Sequence, residues 1–242
     1  MAWFFSENVS LPVHTITGDD ALHISKSLRM TAGEELTVCD ADRVQHDCVI
    51  ESVSSGEVTV RVLFSHPCEN EPEARVSLYQ ALPKGDKMEF IIQKAVELGV
   101  SEIVPVMTAR CVSRPDEKSL KKKLERWNKI ALQAAMQSRR GMIPRVLPIM
   151  KLQDAAERSR DTRCVVCYEL GGEPLGRLVS CGDREVSLFI GSEGGFESSE
   201  IDYIIGCGGK AATLGKRILR AETAPIAALS VIMYLTGSLG GK

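Results

Sequence analysis

Val76-Ser77-Leu78-Tyr79-Gln80-Ala81-Leu82, then Asp86 to Leu98, then Ile103-Val104-Pro105-Val106, is the stretch that decides the fold. The first run is apolar and short, as expected of a buried strand. Asp86 is a plausible helix N-cap. Met88, Ile91, Ile92, Ala95 and Leu98 recur on one helical side, and Gly99 is a fitting stop signal. A second apolar run follows at once. Strand, helix and strand in this order form a βαβ unit, which implies parallel pairing.

The pattern continues outward from that unit. Lys118–Arg140 reads as a long helix, and Cys164–Tyr168 and Val186–Ile190 as buried strands. Ile201–Gly206 reads as a short helix, Ala211–Leu214 as a short strand and Glu222–Leu235 as an apolar helix. The fold class is therefore α/β with a mainly parallel sheet. Residues 1–66 differ. Leu36–Cys39, Asp47–Ile50 and Val58–Val62 are short and alternating or β-branched, with turn signals between them, which suggests a small β-barrel. The polar segment His66–Glu73 holds two prolines and reads as a linker, so the expected domains are 1–72 and 73–242.

A chain of 242 residues, 44% hydrophobic, excludes low-complexity disorder. No apolar run approaches a membrane span, and no basic-then-apolar leader opens the chain, so a cytoplasmic protein is expected. The net charge of −2 seems at first to oppose nucleic acid, but it is an average. Residues 1–72 hold four Lys/Arg against twelve Asp/Glu, whereas residues 110–145 hold eleven against three. Fourteen of the 20 glycines lie after residue 170, where backbone must be permissive or approach a ligand. Of eight cysteines, Cys164 and Cys167 form one C-x-x-C with no second pair at zinc-binding spacing, so no metal site is expected.

Two stretches carry the chemistry. Leu188–Phe196 (LFIGSEGGF) is a strand running into a loop with three glycines and one acid, Glu193. In open α/β sheets ligands sit beyond the carboxyl ends of strands, and glycines there bare the backbone to them. The spacing fits neither a P-loop nor a dinucleotide fingerprint. Leu214–Ala224 (LGKRILRAETA) again follows a strand and precedes a helix. Glu222 suits the first helical turn as a simple cap. Arg220 does not: it is a cation at the unfavourable end of the helix dipole, which makes it a better functional candidate than a residue that agrees with the dipole. A third stretch ends the basic helix with Gln137-Ser138-Arg139-Arg140. All four histidines precede residue 67, away from the glycine loops, which argues against His-based acid–base work there.

Together, these stretches resemble the bacterial 16S ribosomal RNA (uracil-N3) methyltransferases of the SPOUT superfamily. The resemblance rests on Lys84–Lys94 (KGDKMEFIIQK), Glu97–Val100, Ala134–Arg140 (AAMQSRR), Ile190–Phe196 and Leu214–Ala224. Near the start it is joined by His23-Ile24, Leu28-Arg29-Met30 and Gly33-Glu34. Ser192 stands where the family's loop usually has Pro, and Met136 where it often has Glu. The resemblance implies a PUA-like RNA-binding barrel followed by an α/β domain with a trefoil knot. It implies S-adenosylmethionine as cofactor, held by Tyr168, Glu169, Ile190, Gly191, Gly194, Gly195, Leu214, Gly215, Ile218 and Leu219. The reaction would be methyl transfer to N3 of a uridine in 16S rRNA of the small ribosomal subunit. Arg220 would hold developing charge or a phosphate, and Glu193 or Glu222 would orient the base or accept its proton. Lys26, Arg29, Lys84, Arg114, Gln137, Arg139 and Arg140 would contact RNA. The family also implies a homodimer, for which the helix face of Ile226, Leu229, Ile232 and Met233 is suited. Two other readings stay open: a relative acting on tRNA or a ribose 2′-hydroxyl, and a non-catalytic RNA-binding assembly factor.

Overall fold

In a computed structural model, residues 1–54, 56–113 and 116–240 are described. They fall into two compact units, Met1–Glu71 with Ala135–Ile143, and Pro72–Ala134 with the residues from Pro144 onward.

The first unit runs β1 (Ala2–Phe5), β2 (Val13–Thr17), α1 (Gly18–Leu22), a π-helical turn (His23–Ser27), β3 (Glu35–Cys39), β4 (Val44–Ser54) and β5 (Glu57–Pro67). The five strands form one sheet in the order β1-β3-β4-β5-β2. Period-two alternation sends Leu36, Val38, Cys48, Ile50, Val58 and Val60 inward, where they pack on Phe4, Ile16 and Ile24. The β4–β5 register shifts between Asp47 and Cys48 and between Ile50 and Ser52. Such irregularities bend a strand, and the sheet curls into a half-barrel. His66 and Pro67, read as linker, instead pair with Gln45 and Val44 at the end of β5. Met136 packs against the same core, so the residue at that departure from the family pattern serves packing.

The second unit continues with β6 (Arg75–Ala81), α2 (Lys87–Glu97), β7 (Glu102–Met107), α3 (Glu117–Gln137), β8 (Arg145–Val146), β9 (Met150–Lys151) and α4 (Leu152–Arg158). It ends with β10 (Arg163–Cys167), β11 (Glu173–Pro174), α5 (Leu175–Leu178), β12 (Glu185–Ile190), α6 (Ser198–Gly206), β13 (Lys210–Thr213) and α7 (Thr223–Leu235). Its sheet has the order β11-β13-β10-β12-β6-β7-β8, with β9 also beside β7, and every pairing is parallel. The βαβ unit read from the sequence is β6-α2-β7. Helices cover a sheet whose strands read as continuous apolar runs, as parallel sheets require. Register puts Tyr79 opposite Phe189, and their rings stack at 4.4 Å.

Three local expectations change. Asp86 precedes α2 but makes no side-chain cap; its backbone carbonyl accepts the Glu89 N–H at 3.0 Å. The long helix stops at Gln137, three residues early, because Arg139 adopts φ of 55° and the Arg140 N–H turns back to the Ala135 carbonyl. Leu229, Ile232 and Met233, offered above as a dimer face, are buried within this chain. They cover the subunit's own core; Val231 and Tyr234 are the exposed large apolar residues on that helix.

Candidate active site

The order β13-β10-β12-β6 sets the carboxyl ends of three ligand-bearing strands side by side. Their loops enclose a cavity of about 580 Å³. Tyr168 and Glu169 come from the end of β10. Ile190, Gly191, Gly194 and Gly195 come from β12 and its loop, and Leu214, Gly215, Ile218 and Leu219 from the loop after β13. All ten residues expected to hold a cofactor line this one cavity, with Glu193 and Arg220. Its size lies in the range that holds a drug-sized or cofactor-sized molecule.

Glycine is needed here for space as well as conformation. Gly195 has φ of 66°, and its N–H bonds to the Ser192 carbonyl at 2.9 Å, closing a tight turn. A Cβ on Gly195 would run into the Glu169 carboxylate. A Cβ on Gly191 would lie 3.0 Å from the Gly195 Cα. The turn therefore forms with Ser192 in place of a proline. It is also tied from outside: Gln80 Nε2 donates to the Gly191 carbonyl at 3.3 Å, and Arg110 Nη1 donates to the Gly194 carbonyl at 2.9 Å. Gly195→Ala should cost about 1–2 kcal/mol through the left-handed backbone alone. It should weaken binding of S-adenosylmethionine about tenfold in calorimetry. Unchanged affinity would remove this turn from the cofactor site.

The charged rim centres on a residue the sequence reading passed over. Lys87 Nζ sits 2.8 Å from Glu193 Oε1 and 3.1 Å from Glu222 Oε2. Glu193 also accepts the Lys84 backbone N–H at 3.2 Å. Bonds to Glu193, then to Glu222, push the Lys87 ammonium up. Burial pushes the Glu193 carboxyl up, but the bond from Lys87 and two backbone N–H groups together hold it below its ordinary value. Glu222 is held low by its own backbone N–H and by Lys87. It does not cap α7; its side chain is spent on Lys87. Arg220 is exposed on the cavity wall and makes no ion pair among the described residues. Lys216 and Arg217 stand beside it on the same loop.

Lys87 was detectable. It is the first residue of α2, a cation at the unfavourable helix end, the same signal that singled out Arg220. Because both carboxyls are depressed, their charged contribution is full above the ordinary carboxylate pKa and is lost as pH falls through the lowered values. Lys87→Met removes the part of that depression that Lys87 supplies, leaving the part due to backbone N–H groups. Its acid limb of activity should move to higher pH, with activity at neutral pH down about tenfold. A pH–rate profile superimposable on the parent's would rule out the bridge as part of the site.

The residues expected to contact RNA fall in both units. Lys84 is exposed beside Glu193 in the second unit. Lys26, Arg29, Gln137 and Arg139 are exposed in the first unit. Arg114 lies outside the described residues. Arg140 is a correction. Its side chain is 3% exposed, and Nε and Nη2 bond the two Glu71 oxygens at 2.8 and 2.7 Å. A guanidinium committed in this way is not offered to a phosphate. Among the described residues no three side chains converge as metal ligands. Burial pushes the Cys164 thiol up to about 11 and the Cys167 thiol to about 12.

Comparison with known proteins agrees with this geometry. The family described as RNA methyltransferase domain matches residues 69–233, more than half of the chain, and RNA methyltransferase PUA domain matches residues 16–63. The chain belongs to this family. A Bacillus subtilis protein named ribosomal RNA small subunit methyltransferase E is 39% identical over 95% of this chain and 93% of its own length. A crystal structure of ribosomal RNA small subunit methyltransferase E from Neisseria gonorrhoeae, bound to S-adenosyl methionine, superposes with a TM-score of 0.87. It is 30% identical, covering 97% of this chain and 98% of that one. A Legionella pneumophila protein solved with bound SAM gives a TM-score of 0.87 at 31% identity, with 96% of each chain covered. Among the described residues no helix is long and apolar enough to cross a membrane.

Proposed function

We propose that this chain is a cytoplasmic enzyme that transfers a methyl group from S-adenosylmethionine to N3 of one uridine in 16S rRNA of the small ribosomal subunit. The observation that carries the reading is the three-loop cavity, walled by glycine backbone and rimmed by Arg220 and the Lys87-bridged carboxylates. The Bacillus and Neisseria relatives named small subunit methyltransferase E support this substrate class, and the Neisseria and Legionella structures, both holding S-adenosylmethionine, support the cofactor.

The backbone of Gly191, Gly194, Gly195, Leu214, Gly215, Ile218 and Leu219 would hold the cofactor, with Tyr168, Glu169 and Ile190 beside it. When bound, that cofactor supplies an activated methyl group on a sulfonium. N3 lies on the Watson–Crick edge, so the base must be unpaired before it enters. Its proton must leave, and negative charge then spreads to the neighbouring carbonyl oxygens. Arg220, exposed on the cavity wall, would stabilise that charge, as fixed donors do at developing oxyanions. Glu193 and Glu222 are held low in pKa, so they accept a hydrogen bond from N3–H and orient the ring but gain little by taking the proton. The proton passes to water. The loops after β12 and β13 would belong to the knot that the family resemblance implies. A homodimer would form through Val231, Tyr234 and Ile218, which are exposed although apolar.

The test is direct. Small subunits from a strain lacking the gene, incubated with the purified chain and S-adenosylmethionine, should gain one methyl per 16S rRNA, mapped by mass spectrometry to a uracil base. A methyl on ribose, or on tRNA alone, would favour the related SPOUT activities. Absence of cofactor binding in calorimetry would favour a non-catalytic assembly factor. RNA affinity should also fall steeply with salt, since Lys26, Arg29, Lys84 and Arg139 would each displace a counterion from a phosphate. Arg139→Ala should reduce the slope of log K against log salt by about one. A flat response in the parent would sink the phosphate assignments.

A further inference from the structure

The first unit poses an electrostatic problem that its own structure answers. Residues 1–72 carry four Lys/Arg against twelve Asp/Glu, so phosphate contacts from this unit are confined to a few cations such as Lys26, Arg29 and Arg139 and the rest of its surface repels the backbone. Phosphate contacts position a protein on RNA, whereas contacts to base edges specify the sequence. An acidic module that binds RNA is better suited to the second task.

The half-barrel has an open seam. β1 and β2 are the two edge strands of the sheet, so each keeps one side free of ladder partners. Residues from both edges line a second cavity of about 190 Å³, closed below by Ile16 and Val38. That is several times the share of one water and below the size of sites for larger ligands, which suits one flat heterocycle. Its chemistry is two-sided. Phe5 supplies an apolar face, and Asp20 and His14 supply an acceptor and a donor. The Asp20 carboxylate is half-buried and accepts no hydrogen bond among the described residues. Burial pushes its carboxyl up, as expected of an acid without a donor. His14 Nδ1 accepts the Ser10 N–H at 3.4 Å, which leaves Nε2 to carry the proton of the neutral ring.

We infer that this seam is a reading pocket for one unpaired base of the RNA substrate, with Asp20 accepting from a base N–H and His14 donating to a ring nitrogen or carbonyl. The inference rests on the proposed RNA substrate and adds to it a second contact point, one for sequence rather than for charge. Half-buried polar groups left unpaired in the free protein are a common cost of a binding site.

The test uses the full chain and a single-stranded fragment of 16S rRNA around the modified uridine, with each other base removed in turn to give an abasic site. For the parent chain, one abasic position should cost about tenfold in affinity, near the lower end of what a specific base contact contributes. In Asp20→Asn, and in His14→Phe, which removes the ring donor, the intact fragment should bind about tenfold more weakly and that same position should no longer matter. The salt slope and calorimetric affinity for S-adenosylmethionine should be unchanged in both variants, because neither loses a phosphate contact or touches the glycine loops. Asp20→Asn should melt at the parent's temperature or above it. If both variants keep the parent's abasic profile, the seam does not read a base. If the parent neither binds the fragment nor methylates small subunits, the substrate assignment itself is wrong, a different failure from intact methylation with an indifferent seam.

Discussion

Glu71→Ala should destabilise the first unit by about 3–5 kcal/mol, the usual result of removing one partner from a buried pair. Arg140 is 3% exposed and Glu71 11%, and the guanidinium binds both carboxylate oxygens. Glu71 Oε1 also accepts the Gly141 N–H at 2.8 Å, so one carboxylate closes the turn that ends α3. Deleting it leaves the guanidinium buried without its carboxylate and the Gly141 N–H without its acceptor. Urea unfolding should show the midpoint falling by most of a small domain's stability margin. Glu71→Ala combined with Arg140→Met should recover part of the loss, because the buried charge goes too. A stability loss under about 1 kcal/mol for the single variant, from the midpoint shift and the m-value, would mean that the pair is solvated in solution. Arg140→Met alone should leave the salt slope of RNA binding as it is.

Arg220→Ala should lower kcat for methyl transfer by about 10²–10³, the range for losing one donor aimed at developing charge. The affinity for S-adenosylmethionine should move little, because the proposed loop contacts to the cofactor are made by backbone. Arg220 is exposed, and its own carbonyl accepts the Thr223 and Ala224 N–H groups at 2.9 Å, so the start of α7 keeps its bonds when the side chain is cut. Single-turnover assays on small subunits separate the two effects. Equal losses in kcat/KM and kcat would place Arg220 in the transition state. A rise in KM with kcat intact would make it a phosphate contact. Activity equal to the parent's would exclude both roles.

Much of this was legible in the chain. The β6-α2-β7 unit follows from a short apolar run, a helical repeat and a second apolar run, all local patterns. The loop after β12 announced itself by three glycines, because few other reasons exist to cluster them beyond a strand end, and the loop after β13 by its place between strand and helix. Arg220 stood out because it opposes a helix dipole, and Lys87 would have stood out on the same test had it been applied to α2. What the chain hid was pairing across distance. Glu71 and Arg140 are 69 residues apart, and a C-terminal arginine on a basic helix looks equally like a surface contact. Lys87 and Glu193 are 106 apart, and nothing local tells an acid that caps a loop from one that binds a distant lysine. The seam between β1 and β2 exists only because the sheet curls without closing.

Charge shows the division most plainly. The sequence by itself determined that the first 72 residues are acidic, that the middle stretch is basic and that the glycines gather late. It also determined the α/β class, since apolar periodicity is a property of neighbours along the chain. Only the tertiary structure decided which charges are available. It buried Arg140 against Glu71, bridged two site carboxylates with the single charge of Lys87, and left Arg220 exposed and Asp20 half-buried without a donor among the described residues. Burial and partner are set by residues far apart in sequence, and those two quantities decide whether a charged side chain stabilises the fold or meets a ligand.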